Sequence, residues 1–570
     1  MGKIVRIFLQ EKKVSEEEIP KGWELLGGRG ISGKIISSEV PPEADPLGSK
    51  NKLIFAPGLL GGCYVSSSGR LSVGAKSPLT GGIKESNVGG TAGQKLSRLG
   101  ISALVLEGIS KEPSILLISK DGVKFESATD LVGLKTYELV EKIKSRYDEK
   151  NAIIGIGPAG DKKLFLSGIF VSDIEGRPCR YAARGGLGAV MGSKNVKAIL
   201  IDDKGANGIS YDKRDEFLTL SKSWGKELIE SRKVFTEYGT AVLIKIINEL
   251  GGLPTRNFRV GSFKDADKIS GETLRENALS RGGRMGHPCH PGCVIRCSNI
   301  YHDKNGNYLT SALEYETIGL MGANLEIGDL DAVAEFDRMC DELGIDTIET
   351  ANSIAVAMEA GLFKFGDANG VKEALGNIEK GTVIGRIIGS GAKRAAETLG
   401  VKRAAHVKGQ ALSSYDPRCI KGTGVTFLTS PMGADHTAAN ILPGRTGYHF
   451  YDVDDDGGGV TSKEKKVEIS RDVQIMVAVC DTLGFCFFVG PNLANMEFFA
   501  KLIKARFGYN CSAIDLIEMG KDVITTEIEF NKKAGIPPVS TLPEFFYKET
   551  LKPKDLTFDI DEENIKKIWE

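Results

Sequence analysis

Four cysteines constrain this chain more than any other feature: Cys289, Cys293 and Cys297 in one loop, and Cys486 far downstream. Three thiolates at one short spacing, joined by a remote fourth, suit the corners of a cubane iron–sulfur cluster and would pin two distant segments together. The loop runs His287-Pro288-Cys289-His290-Pro291-Gly292-Cys293. Its prolines and glycine force an irregular path that suits a cluster wrapped by backbone N–H groups. Zinc is the competing reading, because His287 and His290 share the loop. Zinc sites usually pair their ligands as C-x2–4-C twice over, and the other close pair here, Cys480 and Cys486, is looser. The spacing favours iron–sulfur. Cys63, Cys179, Cys340, Cys419 and Cys511 read as ordinary buried small side chains.

Cys486 closes the segment Asp481-Thr482-Leu483-Gly484-Phe485-Cys486. Asp341-Glu342-Leu343-Gly344-Ile345-Asp346 repeats its pattern of Asp-x-x-Gly, an apolar residue, then Asp or Cys. A cluster ligand embedded in one copy of a duplicated polar turn implies a second, roughly symmetric ligand beside the cluster. No other internal repeat is read.

The 570 residues suffice for several domains with a substantial core. Lys+Arg 74 against Asp+Glu 75 leave no basic footprint for nucleic acid or a membrane surface. The start, Met1–Phe8, lacks the apolar stretch of a signal peptide. No apolar run is long enough to span a bilayer, and Asp481 breaks the one around 475–490. Ten cysteines without an export signal point to a reducing cytoplasm and to metal use rather than disulfides.

Up to about residue 205, Ile4–Leu9, Lys52–Phe55, Ala103–Glu107, Ser114–Ile118, Ala152–Gly155, Leu164–Phe170 and Ala198–Ile201 read as strands. Beyond it, Asp212–Glu230, Thr240–Asn248, Asp329–Leu343, Ile348–Ala360, Val371–Leu375, Val383–Leu399, Glu464–Val479 and Asn492–Phe507 have helical periodicity. The expected fold is α+β, with an N-terminal β-rich domain over 1–205 and two mainly helical domains over 206–410 and 411–570.

Three glycine loops resemble nucleotide sites and fail the context each needs. Gly155-Ile156-Gly157-Pro158-Ala159-Gly160 matches G-x-G-x-x-G, but 161–170 reads as a strand, so a tight turn is the better reading. Gly28–Lys34 matches a P-loop until Ile35 stands where a magnesium-binding hydroxyl belongs. Gly185-Gly186-Leu187-Gly188 fits neither, yet Arg184, Lys194 and Lys197 surround it. Exposed amides with fixed cations can cradle a phosphate.

Taken together, these segments resemble the aldehyde:ferredoxin oxidoreductases, tungsten enzymes of anaerobes. The matching signatures include Gly27-Gly28-Arg29-Gly30, Ser68-Gly69-Arg70, Lys76-Ser77-Pro78-Leu79-Thr80-Gly81, Asn87-Val88-Gly89-Gly90, Ile156–Gly160 and Arg184–Asn195. Further along stand Glu314-Tyr315-Glu316-Thr317, Cys340–Thr347, Tyr415-Asp416-Pro417-Arg418 and Asp481–Cys486. The resemblance runs nearly end to end.

It implies tungsten (or molybdenum) held by the dithiolene sulfurs of two pyranopterins, a magnesium ion bridging their phosphates, and a [4Fe–4S] cluster on Cys289, Cys293, Cys297 and Cys486. The base and the two helical domains would close over this bis-pterin cofactor. Each Asp-x-x-Gly turn would grip one pterin: Asp341, Gly344, Ile345 and Asp346 on one side, Asp481, Gly484 and Phe485 on the other. The two aspartates would accept from pterin ring N–H groups. Arg70 would bridge cluster and pterin, and Asn87 and Tyr181 would lie at the magnesium–phosphate bridge. Gly89, Arg184 and Gly185 belong to the loops that would serve the phosphates. Glu316 and His436 match the family's acid/base pair; taken alone, they read as a surface carboxylate and a core histidine.

The implied reaction is oxidation of an aldehyde to a carboxylate, or the reverse, with electrons passed to ferredoxin or a dedicated iron–sulfur subunit in a homodimer or hetero-oligomer. Neighbouring branches include the tungsten subunit of a benzoyl-CoA reductase, which gives reduction of an aromatic thioester as an alternative. An electron-transfer subunit without catalysis is a third. The cluster loop departs from the reference C-x2-C-x3-C by one residue. Glu335 has a counterpart in a subunit-bridging metal site, but no histidine lies between His302 and His406 to complete it.

Overall fold

The computed structural model describes residues 2–442 and 459–570. Its N-terminal part folds into two six-stranded sheets. The first contains β1 (Lys3–Phe8), β2 (Lys13–Glu18), β3 (Leu53–Pro57), β4 (Leu71–Lys76), β5 (Ile83–Val88) and β6 (Ile101–Glu107). The second contains β7 (Ser114–Ser119), β8 (Gly122–Ser127), β9 (Ala152–Gly155), β10 (Ile169–Val171), β11 (Arg180–Ala182) and β12 (Val196–Ile201). Their orders are β2-β1-β6-β3-β4-β5 and β8-β7-β12-β9-β10-β11, the same path walked twice.

Even the irregularities repeat. Lys3 faces Ile101 while Ile4 faces Ala103; Ser114 faces Val196 while Ile115 faces Ala198. The skipped residues, Ser102 and Lys197, form equivalent bulges. The base is therefore an internal duplication, which the sequence reading missed. Its halves share strand order and bulge position rather than a residue motif, and a period-2 pattern is satisfied by many sequences.

Alternate strand residues face opposite ways. Val5, Ile7, Leu53, Phe55, Leu104 and Leu106 meet Leu116, Ile118, Ile154, Ile199 and Ile201 in one shared core. Ile4, Ile54, Ala103 and Val105 pack the other way onto Ile31, Ile35 and Ile36 of the helix Gly28–Glu39. Ile115, Ile153, Ala198 and Leu200 pack likewise with Leu139, Val140 and Ile143 of the helix Thr136–Lys144. Each such Val, Leu, Ile or Phe side chain contributes about 1.5–3 kcal/mol. Burial on both faces explains why these strands read as continuous apolar runs.

Beyond the base, the chain is mainly helical, as expected. The span 383–399 breaks at Gly391 (φ +91) into Val383–Gly389 and Ala392–Leu399. The expected strand 164–170 shrinks to β10, because Pro158–Asp161 is a helical turn. The helix Lys421–Thr429 gave no signal because it is buried all round and has no polar face. A three-stranded sheet also lies in this helical region, and the cluster loop joins its strands Arg284–His287 and Ser298–His302.

The base receives the two Asp-x-x-Gly turns in equivalent ways. The Arg70 N–H bonds the Gly484 carbonyl at 3.1 Å, and the Gly168 N–H bonds the Gly344 carbonyl at 3.0 Å. A Cβ on Gly58, just past β3, would lie 2.1 Å from the Gly484 Cα. One on Gly157, just past β9, would lie 2.4 Å from the Leu343 carbonyl oxygen. The G-x-G-x-x-G match is thus a docking surface for backbone. The Gly28–Glu39 helix is explained similarly: its glycines disfavour a helix, but a Cβ at Gly28 would lie 2.1 Å from the Asp481 carbonyl oxygen.

Gly58→Ala should lower stability by about 1–3 kcal/mol. Gly225→Ala, in open space within the helix Arg214–Ser231, should raise it by about 0.5–1 kcal/mol. Denaturant midpoints of the two variants check this; equal midpoints would show that the docking is not tight.

Candidate active site

The helices Leu330–Leu343 and Lys466–Leu483 end at left-handed glycines, Gly344 (φ +73) and Gly484 (φ +90). The N–H groups of Gly344 and Ile345 bond the Cys340 carbonyl at 2.9 and 3.0 Å. Those of Gly484 and Phe485 bond the Cys480 carbonyl, both at 2.8 Å. This is one helix stop used twice. Leu343, Ile345, Leu483 and Phe485 are buried, and Phe485 stacks on Phe499 with centroids 4.1 Å apart. Phe485 therefore anchors its turn from behind, and the aspartates are left facing inward.

They face a cavity of about 380 Å³. Its walls bring together Arg70, Asn87, Gly89, Tyr181, Arg184, Glu316, Asp341, Ile345, Asp346, His436 and Asp481, with Cys289, Cys297 and Cys486. Cys293 is adjacent, its sulfur, that of Cys289 and a His290 nitrogen all lying within 4.8 Å of one another. Gly185, Gly344, Gly484 and Phe485 are not among the lining residues. Cys63, Cys340 and Cys419 are buried outside the cavity lining, as the sequence reading expected; Cys511 is only half-buried, and Cys179, buried as expected, lines the cavity.

Asp341 Oδ2 has no hydrogen-bond partner among the described residues. Burial and the neighbouring Asp337 hold this carboxyl well above the usual range. Its backbone carbonyl accepts from Thr136 Oγ1 (2.8 Å) and from the Tyr181 hydroxyl (2.6 Å). Asp481 accepts from Arg29 Nη1 at 3.3 Å and Asn87 Nδ2 at 3.4 Å. Burial and Glu85 push it up to about 8 against the pull of Arg29. Arg70 is half-buried and donates to Asn87 Oδ1 and, at 3.2 Å, to the Asn87 carbonyl. Burial opposes its charge, but Cys486, Cys289, Asp481 and Cys297 sustain it. Arg70 thus stands between the cysteines and the Asp481 turn.

Glu316 lies in the turn Tyr315–Thr317, which runs into a π-helix over Ile318–Gly322, an irregularity common at functional sites. Its Oε2 accepts the Ser414 N–H at 2.7 Å, and its Oε1 lies 3.5 Å from His436 Nε2. Burial, with Asp435 and Asp346 nearby, pushes Glu316 up to about 8 despite Ser414 and Arg184. At 13% and 17% side-chain exposure, Glu316 and His436 are neither a surface carboxylate nor a core histidine.

Lys194 and Lys197 are not phosphate ligands. Both are buried, with Nζ donating to the Asn51 carbonyl (2.6 Å) and to Asp161 (2.7 Å). The Asn51 and Gly108 carbonyls and the Asp161 carboxylate draw these lysines inward. Arg184 donates to the Ala434 and Ala411 carbonyls at 2.9 and 2.6 Å and to Asp346 at 3.3 Å, so it braces the wall.

Several lining residues were not among the predicted site residues, Glu85, Asp435 and Glu314 among them. Glu85, with Oε1 lacking a partner among the described residues, stands on β5 two positions before Asn87. Asp435 pairs with Lys84 at 2.8 Å; burial works against its charge, but Lys84, Arg184 and His436 hold it well below the usual carboxylate range. Glu314, half-buried, accepts from Thr240 Oγ1 at 2.5 Å. Asp435 stands next to His436 in sequence, which was the available signal.

Family models for aldehyde ferredoxin oxidoreductase match the chain twice, the N-terminal domain over residues 4–203 and domains 2 and 3 over 219–566. The chain belongs to the aldehyde ferredoxin oxidoreductase family. It is 34% identical to the tungsten-containing aldehyde ferredoxin oxidoreductase of Pyrococcus horikoshii, over 96% of this chain and 92% of that protein. It is 30% identical to the WOR-like subunit of an aliphatic sulfonate oxidoreductase of Pyrococcus furiosus, over 78% and 76%. Its fold resembles a solved chain of the active site complex of benzoyl coenzyme A reductase with 1,5-dienoyl-CoA, with a TM-score of 0.80, 21% identity, and coverage of 100% of this chain and 93% of that one. The chain is thus an oxidoreductase of a tungsten family. Among the described residues no helix is long and apolar enough to cross a membrane.

The site fits the tungsten–pterin group this family implies. Two carboxylates from equivalent turns, one with an unpartnered buried oxygen, line one cavity and can accept from N–H donors. Asp341→Asn should retain the fold and lose at least about tenfold in bound tungsten, as expected for losing a charge-assisted hydrogen bond. The raised folded-state value of Asp341 means that its cost to the apo fold is absent below the unfolded pKa and grows as pH rises toward the folded one. Apo Asp341→Asn should therefore be the more stable protein at pH 7, by about 1–3 kcal/mol. That gain should shrink toward pH 5. Elemental analysis and pH-dependent melting test both arms.

Proposed function

We propose that this chain oxidises an aldehyde to a carboxylate at a tungsten bis-pterin centre. Cys289, Cys293, Cys297 and Cys486 would hold a [4Fe–4S] cluster, which would supply one-electron transfer to ferredoxin or a dedicated iron–sulfur subunit in the cytoplasm. The observation that carries this reading is the Glu316–His436 pair, 3.5 Å apart in the cavity that residues of both Asp-x-x-Gly turns and three of the cysteines also line.

When bound, the metal supplies a Lewis acid and a two-electron acceptor. Asp341 and Asp481 would accept from the two pterin rings, and Arg70 would donate toward the pterin and cluster on its side. Asn87 and Tyr181, on the edge strands β5 and β11, would face the magnesium–phosphate bridge.

Conversion of RCHO and water to RCOOH releases two protons and two electrons. Glu316 Oε1 is placed to take a proton from the water that becomes the new carboxylate oxygen, while the Ser414 N–H fixes Oε2. His436 Nε2, facing Oε1, is placed to exchange that proton onward. Burial of the pair limits bulk water and keeps the Glu316 proton affinity near working pH.

Anaerobic protein from a host supplied with tungstate and molybdate should contain about one tungsten and four irons per chain. Iron without tungsten or molybdenum would sink the proposal. Glu316→Gln should retain both metals and lose turnover by at least about 100-fold. Because the base must be ionised, wild-type kcat/KM for aldehyde oxidation should rise with pH through about 8, and the Gln variant should lack that limb.

A further inference from the structure

The cluster loop holds a histidine that the proposed chemistry leaves unused. His290 is fully buried, packed against Gly69 so closely that a Cβ there would lie 2.5 Å from its Cδ2. Its Nδ1 lies 3.1 Å from Cys289 Sγ, and its Nε2 has no hydrogen-bond partner among the described residues. The loop is clamped around it: the Gly90 N–H bonds the Cys289 carbonyl at 2.8 Å, and Gln94 Nε2 bonds the Pro291 carbonyl at 2.7 Å. The ring therefore cannot swing away from the sulfur.

From this contact we infer that His290 is a positioning residue for the electron-transfer cluster: its Nδ1–H donates to the Cys289 thiolate and raises the reduction potential of the cluster. The inference rests on the iron–sulfur reading above. A neutral imidazole carries one N–H. A thiolate can only accept, so the contact places the hydrogen on Nδ1 and leaves Nε2 bare. One-electron reduction by an external donor adds negative charge to the cluster and its thiolates. An N–H aimed at one of them stabilises the reduced form more than the oxidised form, and hydrogen bonds to sulfur are an established control of cluster potential. The same geometry explains Gly69 in Ser68-Gly69-Arg70: any side chain there would displace the ring.

The test is an EPR-monitored redox titration of the anaerobic, metal-loaded full chain, with iron counted in every sample. In His290→Phe the N–H is lost with the ring shape kept. The reduced-to-oxidised ratio at fixed poise should fall about tenfold, a 59 mV drop for a one-electron couple. His290→Asn, whose side-chain amide can take the Nδ1 position, should restore the wild-type value. If the Phe variant does not fold, His290→Gln, whose amide is displaced, takes its place and should show the drop.

Four irons in every protein with one common potential would overturn the inference and leave the cluster standing. Loss of iron from His290→Asn as well would also overturn it, making His290 a ligand or a packing residue. Zinc in place of iron in the wild-type protein would overturn the cluster reading itself, and with it this inference.

Discussion

Two backbone-to-backbone contacts set everything else in this protein: Gly58 against Gly484, and Gly157 against Leu343 and Gly344. Each seats the end of a long helix on the end of a sheet strand with no side chain between. Side chains at such a joint adjust by rotamer, whereas backbone cannot, so the aspartate one turn earlier is aimed with little freedom. In one copy the next functional residue, Cys486, follows the glycine by two positions and bonds the Ser67 carbonyl through its N–H at 2.8 Å. The separation between the expected pterin grip and cluster ligand is then a property of one turn.

Much of this was legible. The paired Asp-x-x-Gly segments, the cysteine loop and the strands of the shared core carry signals that depend on residue type and period alone. What escaped did so for specific reasons. The helix Gly28–Glu39 contains the glycines that disfavour helices, because it lies against the Asp481 backbone. The strand β5 is Ile-Lys-Glu-Ser-Asn-Val, polar where it lines the cavity, and shows no alternation. The duplication of the base is written in connectivity and bulge position, which residue patterns do not encode. The lysines after Gly185 looked available because charge is visible in sequence and direction is not.

The cavity is costly to build. Glu85 and Asp341 are buried, Asp481 and Glu316 largely so, and all four are held above the ordinary carboxylate range. Arg29 is spent largely on Glu527, by two bonds of 2.8 Å, and Arg184 on the wall carbonyls. Such groups destabilise an empty fold and are stabilised by partners that donate hydrogen bonds to the ionised form. The same residues that make the apo protein strained are therefore the ones whose energy changes most when an N–H-rich ligand enters. Binding and folding are coupled through them.

The scaffold is symmetric but the chemistry is not, and the break in symmetry is one residue. The position that is Cys486 in one turn is Asp346 in the other. Asp346 caps the helix Thr347–Glu359 through the Ile348 N–H at 3.0 Å and pairs with Arg184 at 3.3 Å. Its carboxylate is thereby engaged by the Ile348 N–H and by Arg184 where the other turn offers a thiol. Asp346 also acts on Glu316, whose proton affinity is set by burial and then by Ser414, Arg184, Asp435 and Asp346. Arg70 stands instead with Asp481 and the cysteines. Under the proposed reaction, electrons leave through one half of the duplicated grip and protons through the other. Such separation has a physical merit: a cluster gaining negative charge beside Glu316 would raise the proton affinity of the base with each electron passed. Placing Arg70 against the cysteines and Arg184 against the carboxylates screens each centre from the other.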